Sequence, residues 1–219
     1  MTFDVSFSGG FIGGKKLMQA FEEHLGYAKF SDAKIPLYIT ATNLDTGKEC
    51  IFSEGPIIHA IRASISVPGV MRPYLYEGSY YVDGAVTNPL PVDVLHNNKH
   101  KNIVAVHLHE YIEERDNSSA PGLLETMSRS MGIVSRCLAK AKMQEAVAVI
   151  EPKLSGIDMF HFYQAQEVIN CGANAAKIAV EQGALDSITL KILNNFKEKI
   201  SNRIIHIMKK KLGKEQSGE

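Results

Sequence analysis

Two short runs, Ile103-Val104-Ala105-Val106-His107-Leu108 and Ala146-Val147-Ala148-Val149-Ile150, flank a stretch from Leu123 to about Lys142 whose apolar residues recur at helical spacing. A run that is apolar at nearly every position suits a strand covered on both faces, as in a parallel sheet. The rest of the chain continues the alternation. Leu17, Met18 and Phe21 predict a helix over 15–24 with Gly26 past its end, and Ile35 to Thr42 is a β-branched and aromatic run that reads as a strand. Asn43 to Gly47 turns it back into Glu49-Cys50-Ile51-Phe52, Pro56 opens a short helix, and Tyr80-Tyr81-Val82 is a strand stopped by Asp83-Gly84. A surface loop over 113–121 and a second helix over 164–181 complete the pattern. Strands interleaved with helices make the fold class α/β. With 219 residues, the chain can bury a core without disulfide or metal staples.

Charge and cysteine usage narrow the function classes. Twenty-four basic and 24 acidic side chains cancel, so bulk charge gives no case for nucleic-acid binding. Cys50, Cys137 and Cys171 are scattered and form no C-x-x-C pair, which predicts reduced, buried thiols in a cytoplasmic chain. No apolar run approaches the roughly 18 residues of a membrane span. Residues 186–219 differ in kind from 1–185: Leu193, Phe196, Ile200, Ile204 and Ile207 recur at spacings of three and four beside many lysines. This basic amphipathic helix either docks on the core or adsorbs through 187–212 to an anionic membrane surface, a peripheral contact.

The chemistry concentrates in one stretch. Ile61-Arg62-Ala63-Ser64-Ile65-Ser66-Val67-Pro68-Gly69 is followed, a strand later, by Asp83-Gly84-Ala85-Val86-Thr87-Asn88-Pro89-Leu90-Pro91. The pattern R-A-S-x-S-x-P-G before D-G-A-x-x-x-N-x-P resembles the patatin-like phospholipase family, in the style of its small bacterial members. Further segments agree in order: the glycine-rich stretch before Lys15, Ala41-Thr42-Asn43-Leu44, and Ile150-Glu151-Pro152, so that the resemblance covers roughly residues 4–181. It implies a three-layer α/β/α fold with a mainly parallel central sheet. It also implies a lipid acyl hydrolase using a Ser-Asp dyad, with acyl esters such as phospholipids as substrates and no cofactor. Asp83 is then the proton acceptor within the motif Asp83, Gly84 and Ala85. A carboxylate at a strand end beside a glycine can be held rigidly towards a hydroxyl, and a partly dry setting that raises its pKa helps it take a proton. Val67, Val70, Met71 and Tyr74 are candidates to line an acyl-chain pocket, or belong to the core.

The family's first block is missing. No serine here has glycine two residues before and two after it, so there is no G-x-S-x-G elbow, and the G-G-G-x-R/K-G oxyanion loop is also absent. The sequence reads as a truncated domain that begins after the first strand, oxyanion loop and nucleophile, its opening residues resembling a loop inside a domain. Asp83 alone supplies neither nucleophile nor oxyanion donors. Three readings follow: the C-terminal portion of a hydrolase, inactive alone; a non-catalytic remnant that binds lipid or a partner; or a chain completed by an N-terminal segment in trans. Loss of central strands should uncover apolar edges. His107 and His109 share a strand face, but no third ligand stands at zinc spacing, so no metal site is expected. Ser64 and Ser66 read as hydroxyls that tie down the turn before Pro68.

Overall fold

The computed structural model describes residues 13–108, 120–154, 157 and 162–186. Along the chain come α1 (Lys15–Leu25), β1 (Ile39–Asn43), β2 (Lys48–Phe52), α2 (Ile57–Ser64), β3 (Tyr74–Tyr76), β4 (Ser79–Asp83), α3 (Val92–Asn97), β5 (Val104–Val106), α4 (Leu123–Met143), β6 (Ala148–Ile150) and α5 (Ala165–Glu181). The basic segment 187–219, the glycine-rich residues before Gly13, His109 and most of the 113–121 loop lie outside the described residues, as does the proposed boundary at 185–186 for its C-terminal side.

Local chemistry sets the turns. The Asn43 side chain accepts from the Thr46 N–H at 2.9 Å and Gly47, at φ 68°, donates to the Asn43 carbonyl, closing the β1–β2 hairpin. Glu77 and Gly78 take φ 48° and 81°, the two positive values of a tight two-residue hairpin between β3 and β4. Pro56 caps α2 from an extended conformation, and Gly26 ends α1 by donating to the Glu22 carbonyl.

The strands form two sheets. Four are ordered β2-β1-β4-β3, and every pairing in that sheet is antiparallel; β5 and β6 pair in parallel as a separate two-stranded sheet. This corrects the expected mainly parallel sheet among the described residues. Two of the three pairings are hairpins, whose short turns leave no room for the crossover that parallel neighbours need. The three-residue β3 carried no periodic signal of its own and was not anticipated.

Packing explains which face is buried. On one side of the larger sheet, Phe52 meets the edges of Tyr81 and Tyr76 with ring centroids 5.4 and 6.3 Å apart, and His59 of α2 stacks on Tyr76 at 4.6 Å. Buried Ala41, Ala60 and Ala63 let α2 approach β1 closely. A second cluster joins Leu90, Val92, Ile103, Ala105 and Ala139, so α3 and α4 cover one side of the β5–β6 pair.

The other side of β5 is not covered by that cluster. Ala105 is buried while Val104 and Val106 are exposed, Val106 by 55%, so the strand covered on both faces is corrected to one that alternates. The cysteines are free but not buried: Cys137 is exposed on α4, and Cys50 and Cys171 are partly exposed. The α4 face bearing Cys137 also exposes Ile133, Val134 and Leu138, because the core takes only the opposite side of the helix. No described helix is long and apolar enough to cross a membrane.

Candidate active site

Asp83 ends β4, and three elements hold it. Its N–H donates to the Ser66 carbonyl at 3.0 Å, its carbonyl accepts from Thr42 Oγ1 at 3.0 Å, and its side-chain Oδ1 accepts from the Ala85 N–H at 2.8 Å. Thr42 is buried and shares a 2.8 Å hydrogen bond with the Thr87 hydroxyl, so strand β1 and the turn after Asp83 are locked together. Oδ2 makes no hydrogen bond among the described residues. Asp83, Gly84 and Ala85 therefore form one fixed turn with one carboxylate oxygen uncommitted.

Gly84 explains why the turn sits so close to β1. A Cβ on it would lie 2.6 Å from the Thr40 carbonyl oxygen and 2.7 Å from Thr40 Oγ1, distances that real Cβ atoms do not reach. Beyond it, the Asn88 N–H donates to the Gly84 carbonyl at 2.8 Å. The buried Asn88 Nδ2 donates to Glu49 Oε1 and Asp93 Oδ1, each at 2.9 Å. Lys142 of α4 completes the link with Nζ 2.8 Å from Asp93 Oδ2. Burial pushes the Asp93 carboxyl up, yet the Lys142 and Asn88 donors outweigh it and hold it below the usual carboxylate range. Asp93 is thus committed as an anion to a structural link, whereas Asp83 is not.

The R-A-S-x-S segment connects to the same turn through Arg62, which is only 2% exposed. Its Nη1 donates to Ser66 Oγ at 2.6 Å, and Ser66 Oγ donates in turn to the Arg62 carbonyl at 2.7 Å. Nη2 donates to the carbonyls of Gly13 and Arg72 at 3.1 and 3.2 Å, and Cζ lies 5.2 Å from the centre of the Tyr74 ring. Since the Ser66 carbonyl receives the Asp83 N–H, the two sequence blocks are one hydrogen-bonded unit. Ser66 ties down the turn before Pro68, as its hydroxyl was expected to do.

The proposed pocket residues separate. Val67 accepts from Val70 and Met71 in a turn through Gly69 at φ 80°; Met71 is buried, Val67 and Val70 partly so. Tyr74 instead hydrogen-bonds His59 Nδ1 at 2.6 Å and lines a cavity of about 300 Å³ together with Arg62, Arg72 and Lys15; Val67, Val70, Met71 and Asp83 do not line that cavity. His107 is buried with Nδ1 3.4 Å from Glu151 Oε1. Among the described residues no group of three His, Cys, Asp or Glu side chains is placed to hold a metal. Sequence reasoning assigned no role to Thr42, Thr87 or Arg62, although all three lie in segments it singled out.

Burial raises the Asp83 pKa, and the Ala85 N–H offsets this only in part. A raised folded-state pKa means that the folded chain binds the proton more tightly than the unfolded chain. Stability therefore falls as pH rises from the unfolded value of about 3.9 through the folded one. Asp83→Asn keeps an oxygen acceptor for Ala85 but never ionises. It should raise the urea midpoint at pH 7, with the gain vanishing below about pH 3, where the carboxyl is protonated in both the folded and the unfolded wild type. An Asp83→Asn chain less stable than the wild type at pH 7 would contradict this placement of the carboxylate.

Comparison with known proteins bears on the same stretch. Residues 2–96 match the family described as patatin-like phospholipase. An NTE family protein of Mycobacterium tuberculosis is 36% identical over 83 residues, covering 38% of this chain and 23% of that protein. A second NTE family protein of the same organism is 24% identical over 181 residues, covering 73% of this chain and 30% of that protein. The neuropathy target esterase sws of Drosophila melanogaster is 27% identical over 95 residues, 42% of this chain and 7% of its own length. The chain thus spans less than a third of the length of these relatives. The matched residues contain α1, α2, the antiparallel sheet, Arg62, Ser66 and the Asp83-Gly84-Ala85 turn, so it is this stretch of the chain that is similar to the patatin-like phospholipase family.

Proposed function

We propose that this chain carries the aspartate half of a lipid acyl hydrolase acting on carboxylic esters of phospholipids or acylglycerols. The observation that carries this reading is the Asp83 carboxylate: fixed through Ser66, Thr42 and Ala85, raised in pKa by burial, and with Oδ2 uncommitted among the described residues. Such a group suits a general base working without histidine. Asp83 takes the proton of a serine hydroxyl as the oxygen attacks the acyl carbonyl, then returns it to the departing alcohol; water repeats the sequence to release the acid. The serine and the oxyanion donors come from outside this sequence, which contains no G-x-S-x-G. That absence also favours a second reading, a non-catalytic module that binds lipid or a partner, to which peripheral membrane contact through 187–212 would contribute.

Assays of the purified chain with a short-chain chromogenic ester and a fluorescent phospholipid should show no turnover above buffer. Co-expression with the elbow-bearing segment of a patatin-like relative should bring activity. Turnover by the chain alone that survives purification and disappears in Asp83→Asn would overturn the need for an outside serine. A complemented assembly that forms yet stays silent would leave the binding-module reading.

A further inference from the structure

Thr40 and Thr42 of β1 stand two residues apart and so share one face of the strand, the face against which the D-G-A turn lies. Thr40 meets Gly84 there. Thr42 meets both ends of the turn at once, its hydroxyl reaching the Asp83 carbonyl at 3.0 Å and the Thr87 hydroxyl at 2.8 Å. A hydroxyl has one proton to give, and that of Thr42 goes to the Asp83 carbonyl, so Thr87 is the donor in the second bond. The order Thr87 to Thr42 to Asp83 closes the turn from outside, while within it the Thr87 and Asn88 N–H groups both donate to the Gly84 carbonyl. Opposite Thr42 on β2, Glu49 takes the Asn88 amide at 2.9 Å. Thr42 is only 3% exposed, so water does not stand ready to replace its bonds.

We infer that Thr42 is a positioning residue: its hydroxyl, supported by Thr87, fixes the peptide after Asp83 and through it the direction in which the Asp83 carboxylate points. The coupling is short. Asp83 Oδ1 accepts from the Ala85 N–H within the same turn, so rotation of the 83–84 peptide carries the carboxylate with it. The Ser66 carbonyl holds the Asp83 N–H, and the Thr42 bond is the matching constraint on the Asp83 carbonyl. Titratable and charged groups on the neighbouring elements are engaged elsewhere: Arg62 and His59 of α2 with Ser66 and Tyr74, Glu49 and Cys50 of β2 with Asn88 and Tyr81, and Asp93 of α3 with Lys142. Burial and the Ala85 N–H set the Asp83 pKa, and both depend on where the turn lies. The catalytic consequence rests on the hydrolase reading above; the effect on Asp83 itself does not.

An NMR pH titration of the Asp83 carboxyl carbon in the full chain tests this, with the wild type set against Thr42→Val, Thr42→Ser and Thr87→Val. Valine keeps the shape of threonine but leaves the Asp83 carbonyl and the Thr87 hydroxyl without their partner. The turn then shifts, and the Asp83 pKa should move down from its raised position towards the ordinary carboxylate value of about 3.9. Thr42→Ser restores the donor and should titrate as the wild type does. Thr87 is partly exposed and Thr87→Val removes only the supporting bond, so it should give a smaller change in the same direction, readable even if Thr42→Val fails to fold. With the elbow-bearing segment supplied, Thr42→Val should lower kcat about tenfold to a hundredfold at unchanged KM, what displacing a reacting group by up to about 1 Å costs, and Thr42→Ser should keep the rate. A complemented wild type that stays silent counts against the hydrolase reading alone, and the titration still decides the role of Thr42. An Asp83 titration unaltered in every valine variant that folds, or altered equally by Thr42→Ser and Thr42→Val, would overturn the inference.

Discussion

Gly84→Ala should destabilise the chain by about 3 kcal/mol, the upper range for forcing one methyl group into a packed site. The atoms in its way are the carbonyl oxygen and carbon of Thr40 as well as its hydroxyl, and the backbone of Thr40, paired with Ile51 of β2, cannot rotate aside. The turn must therefore move off β1, stretching the Thr42 bond to the Asp83 carbonyl and the Asn88 bond to the Gly84 carbonyl. Gly47→Ala is the control. Gly47 has φ 68° at the open tip of a hairpin with nothing within 4 Å of its would-be Cβ, so only the backbone preference is lost, about 1 kcal/mol. Urea midpoints measured for both should rank Gly84→Ala as the costlier by a clear margin; equal midpoints would mean that the D-G-A turn is not pressed against β1.

The same turn shows what the sequence could and could not disclose. Helices α1, α2, α4 and α5 were legible because their apolar spacing is local, and the β1–β2 hairpin because Asn43 to Gly47 carries its own turn chemistry. Strand direction was not legible. The apolar composition of 103–108 and 146–150 fits a strand buried on both sides, yet Val104 and Val106 are exposed, because coverage depends on where distant helices dock. Asp83 stood out through its dipeptide and neighbours, and the family resemblance rather than any periodicity carried that identification. Thr42 was beyond reach for a different reason: its partnership with Asp83 and Thr87 spans more than 40 residues and exists only once β1 pairs with β4. Arg62 is similar. A charged residue on a short, otherwise apolar helix reads as a surface group until the Gly13, Ser66 and Arg72 acceptors close around it.

Asp83 and Asp93 make a matched pair for testing the mechanism, because one carboxylate has an oxygen uncommitted among the described residues and a raised pKa while the other is held as an anion by Lys142 and Asn88. With the elbow-bearing segment supplied, the ester-hydrolysis rate of each Asp→Asn variant should be compared at saturating substrate. Circular dichroism and co-purification of the segment would establish that each assembly is intact. Asp83→Asn should lower kcat at least about a hundredfold, the low end for loss of a positioned general base, since an amide has the size and shape of the carboxylate but cannot take the serine proton. Asp93→Asn should lose little beyond the stability of a partly exposed ion pair, about 1 kcal/mol or less. An intact assembly that hydrolyses ester and keeps its rate in Asp83→Asn would contradict the assignment of Asp83 as the base and leave the D-G-A turn a purely structural element.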